Sequence, residues 1–360
     1  MFTVISLFSG IGGIDIGFEG KVVVHKDSIS KDEFIEKEST TQDFVELKEN
    51  NFRIVFRNDI DTGAKYVANL NGHDENYIIE SIYDLLNRNY TFPSSDVVLG
   101  GFPCTDFSHC GKRRGFQSEK SHNLKDDVDD NNNRGTLYKS FVSVVERVRP
   151  KIFVAENVYG LLTMPDNPIE KIIEDFTRVG YDVKYQLIDC SEYGIPQKRK
   201  RIIIIGISYQ REEQHLEENW NMIYKNRIKC NIGKYFAHLE EPNETDDLSQ
   251  KLYSKAKKLE RGQGQKEIDL NAAAPTMRAE HHGNIEFRRH HNSLLNPHES
   301  DLEERRLTLR EAGLIQTFSP EYIFTDKITM RSYKYIGNAV PPLLGYLIAD
   351  KVSDLLLKYF

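Results

Sequence analysis

Residues 3–20 read TVISLFSGIGGIDIGFEG and predict a strand, a glycine loop and a helix, in that order. The run 3–8 is β-branched and apolar, SGIGG interrupts it, and IDIGFEG resumes with apolar residues at helical spacing. Glycines let a backbone approach a ligand closely, and the N-terminus of the following helix offers N–H groups to an anion. The loop lacks the GxGxxG spacing of dinucleotide-binding folds, so its glycines alone indicate no particular ligand.

Strand-like and helix-like segments alternate through the first 208 residues. Apolar runs predict further strands at 52–56, 95–101, 151–158 and 201–207. Amphipathic segments predict helices at 62–72, 137–150 and 169–181. This alternation predicts a doubly wound, mostly parallel α/β sheet, in which ligands bind at the carboxyl ends of the strands. Asp59, Cys104 and Glu156 end or follow such strands, so we expect them at one edge of the sheet.

The alternation of strands and helices stops after residue 208, which predicts two domains. Residues 1–208 and 332–360 are expected to form one domain, because the chain ends in an apolar helix that needs the core of the sheet. Residues 209–331 are polar and irregular, and we expect them to form a separate recognition domain with its hinge. The polar segment 26–50 is predicted to be a solvated insertion.

Composition narrows the class of protein but does not indicate its activity. The net charge is −7, but two acidic segments, 26–49 and 117–133, account for the whole excess. Residues 251–291 are locally basic and rich in histidine, so the net charge does not exclude a nucleic-acid partner. The four cysteines show no CxxC pairing, which indicates thiols of a reducing compartment and no metal site. With no signal-peptide pattern and no membrane-spanning run, we expect a cytoplasmic protein.

Six sequence blocks, taken together, are far more specific than any one of them. In chain order they are LFSGIGG (7–13), GGFPC (100–104), ENV (156–158), YGIPQKRKR (193–201), RLTLREAGLIQTF (306–318) and IGNAVPP (336–342). Together they closely resemble the cytosine-C5 DNA methyltransferases of bacterial or phage restriction-modification type. The resemblance implies the Rossmann-like fold of the S-adenosylmethionine-dependent methyltransferases, with a smaller, irregular target-recognition domain.

The resemblance also implies the reaction and its catalytic residues. A methyl group passes from S-adenosylmethionine to C5 of a cytosine that is flipped out of a short specific sequence in double-stranded DNA. Cys104 matches the nucleophile that adds to C6, and Glu156 matches the carboxyl that bonds N3 and the exocyclic amine. Arg199 and Arg201 match the arginines near the cytosine O2 and the backbone.

The same motif matching gives the binding residues and partners. It assigns the cofactor site to Phe8, Gly10, Ile11, Gly13, Asp59, Ile60, Ile82, Pro103, Leu137, Asn338 and Val340. It assigns DNA or base contacts to Ser108, Lys112, Arg113, Arg114, Gln197 and Arg305. The expected product is S-adenosylhomocysteine, with no metal required. We expect a monomer that acts on double-stranded DNA away from membranes, with any cognate restriction endonuclease acting separately.

The same residues bear on three alternative interpretations. A tRNA cytosine-C5 methyltransferase of the same fold is the nearest, and the basic segment TMRAEHHGNIEFRRHH (276–291) favours DNA over it, because the segment is expected to lie against the duplex. A DNA-binding regulator without activity is disfavoured by Cys104, Glu156 and Arg201. A nicotinamide-dependent oxidoreductase is disfavoured by the missing GxGxxG motif. The paired histidines match no known set of metal ligands.

Overall fold

The computed structural model describes residues 1–103, 137–164, 167–209, 223–225, 229–259, 262–325 and 328–360. Several predicted site residues lie outside the described residues, namely Cys104, Ser108, Lys112, Arg113 and Arg114. The acidic segment 117–133 lies outside them as well.

The strands of the described residues are mostly short outside the central sheet. In chain order they are β1 (Phe2–Leu7), β2 (Val23–His25), β3 (Ile35–Glu38), β4 (Phe44–Leu47), β5 (Phe52–Asp59), β6 (Tyr77–Ile79), β7 (Val97–Gly100), β8 (Ile152–Val158), β9 (Tyr181–Asp189), β10 (Gln197–Lys198), β11 (Lys200–Ser208), β12 (Ala274–Pro275), β13 (Phe287–Arg289) and β14 (Arg305–Arg306).

The helices of the described residues range from a single turn to five turns. In chain order they are α1 (Gly13–Glu19), α2 (Thr62–Leu70), α3 (Ile82–Asn87), α4 (Leu137–Val148), α5 (Pro168–Arg178), α6 (Ile232–Phe236), α7 (Leu248–Lys251), α8 (Leu309–Ile315), α9 (Thr329–Asn338) and α10 (Pro342–Tyr359). In the part of the chain so described, none of these helices is both long and apolar enough to cross a membrane.

Seven strands of the described chain form the central sheet, in the order β6-β5-β1-β7-β8-β11-β9. β6, β5, β1, β7 and β8 pair in parallel, whereas β11 runs antiparallel to both β8 and β9. The prediction of a doubly wound, mostly parallel α/β sheet is confirmed. Because parallel strands end at a common edge, the segments after β1, β5, β7 and β8 come together there.

Helices cover both faces of this sheet, as the alternation of side chains along its strands requires. Val4 and Leu99 point to the face covered by α1 and α10, while Ile5 and Val98 point to the face covered by α3, α4 and α5. α1 and α10 pack closely through glycine. A Cβ on Gly17 would lie 2.4 Å from the carbonyl oxygen of Pro342, so this helix contact excludes a larger residue.

The segment after α1 is not the solvated insertion that its polar composition predicted. Its strands form a small antiparallel sheet in the order β2-β4-β3. Phe34, Phe44 and Leu47 are buried there, and the ring of Phe34 lies 5.6 Å from that of Tyr346 in α10. The prediction was wrong because the apolar residues of this segment are few and stand among many charged ones, and the elements that cover them are distant in sequence.

The described residues between 223 and 338 are called the recognition region here. Their apolar side chains form a core of their own, the recognition core, which includes Tyr235, Leu309, Phe318 and Phe324. Ile11 of the glycine loop belongs to the same core. The recognition region therefore packs directly against the carboxyl edge of the central sheet, and the boundary predicted at residue 209 stays a prediction.

Candidate active site

The glycine loop after β1 adopts the tight turn that its sequence predicts. Phe8, Gly10 and Gly12 have φ angles of 57°, 55° and 80°, in the left-handed region that glycine occupies without strain. α1 begins at Gly13, where a Cβ would lie 2.2 Å from the carbonyl oxygen of Val340. The loop is thereby held against the IGNAVPP segment, and two predicted cofactor residues from opposite ends of the chain are in contact.

Asp59, at the end of β5, fixes the loop from the neighbouring strand. Its Oδ2 accepts a hydrogen bond of 2.9 Å from the Gly10 N–H, and its Oδ1 accepts one of 2.9 Å from the Asp61 N–H. Burial raises the pKa of Asp59, and these backbone N–H groups oppose the shift. The carboxyl group therefore lies beside the loop, at the carboxyl edge where a ligand of this fold binds.

Glu156 and Arg201 form an ion pair at the same edge of the sheet. Glu156 lies near the end of β8 and is 8% exposed, and its Oε1 lies 2.7 Å from the Arg201 Nε. Its Oε2 lies 3.5 Å from where a Cβ of Gly101 would be, three residues before Cys104. Asn157 donates a hydrogen bond of 3.1 Å to the carbonyl oxygen of Phe102. The ENV block thus touches the segment that leads to the predicted nucleophile.

Arg199 takes a different position from Arg201, although the family resemblance implies that both lie near the cytosine O2 and the backbone. It is 1% exposed and lies between β10 and β11. Its Nη1 donates hydrogen bonds of 3.0 Å to the carbonyl oxygens of Met277 and Gly337, and its Nη2 donates one of 3.2 Å to that of Ala339. These bonds tie the segment between β10 and β11 to Met277 and to the end of α9, and the expected position of Arg199 near the cytosine or its backbone stays a prediction.

Two residues expected to contact DNA are buried instead. Gln197 is fully buried, and its amide bonds Gln316 at 2.6 Å and the Met277 N–H at 2.8 Å. Arg305 is 5% exposed and donates hydrogen bonds of 2.9 and 3.0 Å to Glu311. Glu241 is its second carboxylate partner. These side chains are thus bonded inside the protein, and the DNA contacts expected for Gln197 and Arg305 stay predictions.

A family model for C-5 cytosine-specific DNA methylases matches residues 2–354 of the chain. The chain belongs to this family. The predicted family and enzyme class are thus confirmed, and the protein is a DNA cytosine-5-methyltransferase. This agrees with the arrangement of the Glu156 and Arg201 side chains beside the segment before Cys104.

Two Type II methyltransferases align with nearly the whole length of this chain. It is 29% identical over 378 residues to the Type II methyltransferase M.BsuRI of Bacillus subtilis, covering 99% of this chain and 80% of that protein. It is 30% identical over 382 residues to the Type II methyltransferase M.BspRI of Lysinibacillus sphaericus, covering 99% and 83%. The Dnmt2 methyltransferase of S. pombe has a TM-score of 0.61 at 16% identity, with 99% of both chains covered, and shows the fold alone.

The remaining predicted cofactor residues of the methyltransferase lie around the glycine loop and the ends of the strands. Phe8, Ile60 and Pro103 are partly exposed at the carboxyl edge, whereas Ile82 is buried at the start of α3. Asn338 is exposed at the end of α9. Leu137 is the first residue of α4, is 3% exposed, and packs on the face of the sheet that α3, α4 and α5 cover. Their roles in cofactor binding stay predictions.

Two tyrosines that the sequence did not indicate also contact the glycine loop. The Tyr77 hydroxyl donates a hydrogen bond of 2.9 Å to the carbonyl oxygen of Gly10, and the Tyr322 hydroxyl donates one of 2.7 Å to that of Ile11. No local pattern marks either residue, because they lie 67 and 311 positions from their partners. Their contribution is visible only once the chain is folded.

Proposed function

We propose that the enzyme transfers the methyl group of S-adenosylmethionine to C5 of a cytosine flipped out of double-stranded DNA, through a covalent bond between Cys104 and C6. The observation that most supports this is the Glu156–Arg201 ion pair, whose carboxyl group lies 3.5 Å from the Cβ position of Gly101. A general acid–base group and a fixed guanidinium thus lie beside the segment that leads to the thiol.

The residues at the glycine loop fit S-adenosylmethionine. Among the described residues, no heavy atom lies within 4 Å of the position that a Cβ on Gly10 would take, so a ligand can lie against this backbone. Asp59 places a carboxyl group at that space, and an acidic residue at this position of such folds bonds ribose hydroxyls. Phe8 and Ile60 offer partly exposed apolar surface for an adenine ring. The cofactor bound there supplies an electrophilic methyl group on a sulfonium sulfur.

The chain's own residues supply the activation of the cytosine. The Cys104 thiolate adds to C6, and the electron pair of the C5–C6 double bond moves to C5, which takes the methyl carbon as its bond to the sulfonium sulfur breaks and the sulfur leaves as a neutral thioether. Glu156 bonds N3 and the exocyclic amine, and Arg201 stabilises the charge that develops on O2. A base then removes the C5 proton. The electrons of the broken C–H bond restore the double bond and expel the Cys104 thiolate.

The target base must leave the duplex for this chemistry, because its C5 and C6 atoms are stacked in the helix. The position of segment 276–291 beside β10 and the start of β11 supports a DNA contact there. Its Met277 bonds Gln197 through the N–H and Arg199 through the carbonyl, and His281 and His282 are exposed. We place DNA contacts on these two histidines. Ser108, Lys112, Arg113 and Arg114 keep this role from the sequence alone.

We further propose that the enzyme methylates one short specific sequence as the modification half of a restriction-modification system. The support is the Type II class of its relatives, M.BsuRI and M.BspRI, which align with 99% of this chain. In such a system the methyltransferase acts as a monomer, and the cognate endonuclease acts separately on unmethylated DNA.

Trapping of the covalent adduct tests the role of Cys104. DNA in which 5-fluorocytosine replaces every cytosine carries no C5 proton to remove, so the thiol cannot leave after methyl transfer. With S-adenosylmethionine present, wild-type enzyme should form a DNA adduct that survives denaturing electrophoresis, and Cys104→Ser should form none. Cys110→Ser is the matched control, since it removes a thiol six positions away in the sequence and should still form the adduct. An adduct with Cys104→Ser would overturn the assignment.

A further inference from the structure

Two tyrosine hydroxyls from distant parts of the chain bind successive carbonyl groups of the glycine loop. Tyr77 reaches the Gly10 carbonyl from β6, at the edge of the central sheet. Tyr322 reaches the Ile11 carbonyl from the recognition region, between α8 and α9. The first bond is made within the domain that carries the loop. The second joins the loop to the part of the chain that is expected to meet DNA.

The Tyr322 side chain is fixed tightly enough to act as a support. It is 5% exposed, and its ring lies 4.7 Å from that of Phe318 and 4.9 Å from that of Phe324. Arg310 holds its backbone through a hydrogen bond of 2.6 Å to the Tyr322 carbonyl oxygen. Burial raises the pKa of Tyr322, so the hydroxyl keeps its proton and remains a donor.

Tyr322 holds the carbonyl group of Ile11, the residue directly after Gly10. The orientation of Ile11 therefore affects the backbone geometry of Gly10. Ile11 is 2% exposed and lies between Gly10 and Gly12, both with left-handed φ angles. Without the Tyr322 hydroxyl, the buried Ile11 carbonyl would lose this partner, and a peptide group shifts readily where glycines flank it. A shift there would move the backbone beside the space at Gly10.

We propose that Tyr322 is a positioning residue for the cofactor loop: the recognition core holds the Ile11 carbonyl through this hydroxyl, so that Gly10 keeps the backbone geometry that receives S-adenosylmethionine. The inference rests on the proposed function in one respect, namely that this loop binds the cofactor. It makes cofactor affinity depend on a contact from outside the sheet domain.

Removal of the one hydroxyl tests the inference. Tyr322→Phe should weaken S-adenosylhomocysteine binding, measured by calorimetry, about tenfold. The KM for S-adenosylmethionine should rise in the same proportion, while kcat at saturating cofactor stays near the wild-type value. Tyr181→Phe is the matched control, because the buried Tyr181 hydroxyl also donates to a backbone carbonyl, that of Pro150, at 2.7 Å. Tyr181→Phe should keep cofactor affinity within about twofold of wild type, although it also loses a buried hydrogen bond.

The outcomes separate this inference from the proposed function. Wild-type protein that binds no S-adenosylhomocysteine overturns both. Wild-type binding with unchanged affinity in Tyr322→Phe overturns the inference alone, as does an equal loss of affinity in Tyr181→Phe.

Hydrogen exchange of the wild-type protein gives a second test that needs no variant. S-adenosylhomocysteine should slow exchange in residues 8–14 and also in residues 318–325 around Tyr322, because the hydroxyl joins the two segments. Protection in both segments supports the inference. Protection confined to residues 8–14 contradicts it.

Discussion

Arg199 and Arg201 lie two positions apart in one sequence block and have different partners in the fold. Arg201 pairs with Glu156 at the carboxyl edge, with 13% of its side chain exposed. Arg199 gives its Nη atoms to the carbonyl oxygens of Met277, Gly337 and Ala339. Substitutions at the two positions should therefore fail in different ways, one in the reaction and the other in folding.

Alanine at each arginine separates these roles. Arg201→Ala should lower kcat about 100- to 1000-fold with a melting temperature close to wild type, because a preorganised charge is lost from the site. Arg199→Ala should lower the free energy of unfolding by about 2–4 kcal/mol, because several buried carbonyl groups lose a charged donor. Thermal unfolding and methyl transfer measured on both variants check the prediction. Loss of stability in Arg201→Ala with wild-type turnover would contradict it.

At the scale of secondary structure elements, Glu241 joins the two strands of a small antiparallel sheet in the recognition region. Its carboxylate bonds Arg289 of β13 at 2.7 Å and Arg305 of β14 at 3.2 Å. Burial alone would raise the pKa of Glu241, but the hydrogen bonds and charges of these two arginines outweigh it and lower the pKa to about 2. The ionised carboxylate therefore stabilises the fold of this region.

The pH dependence of the free energy of unfolding tests whether the Glu241 carboxylate stabilises the protein by pairing with Arg289 and Arg305. Because the folded-state pKa is lowered, the stabilisation is present above the ordinary value of 4.5 and is lost as the pH falls towards 2. Glu241→Gln should lose about 2 kcal/mol of unfolding free energy at neutral pH, allowing for solvent screening of a partly exposed group. Its deficit relative to wild type should shrink as the pH falls from about 5 to about 3.

The neighbouring residue supplies the control for this experiment. Glu240 is exposed, so Glu240→Gln should change the free energy of unfolding by less than about 0.5 kcal/mol across the same pH range. Urea denaturation of both variants and of wild type at each pH gives the comparison. A deficit in Glu241→Gln that is the same at neutral and acidic pH would show that the carboxylate does not stabilise through its charge.

At the scale of the whole molecule, the sequence predicts the central sheet because its strands are continuous apolar runs. β1, β7, β8 and β11 are buried on both faces, and such strands are recognisable without knowledge of their neighbours. β9, at the edge of the sheet, has no continuous apolar run, because polar residues stand between its apolar ones, so a prediction from apolar runs does not include it. The carboxyl edge could be predicted as well, since Asp59 and Glu156 are placed by the ends of their strands.

Contacts between distant parts of the chain could not be predicted in the same way. The composition of residues 26–50 predicts a solvated insertion, because the sequence does not show that Tyr346 of α10 and Tyr235 pack against this small sheet. The sequence does not show that the strand is interrupted at residue 199, so the alternation of side chains along a strand does not relate Arg199 to Arg201. The hydroxyl of Tyr322 meets the glycine loop across 311 positions of sequence.

Methylation of DNA by the purified enzyme is the most direct test of the proposed transfer to cytosine C5 in one short DNA sequence. Plasmid DNA is incubated with methyl-labelled S-adenosylmethionine and then sequenced after bisulfite treatment, with Cys104→Ser as the inactive control. We expect label in the DNA and protected cytosines in one recurring sequence context. Bound cofactor without label in DNA, or label transferred to tRNA in its place, would contradict it.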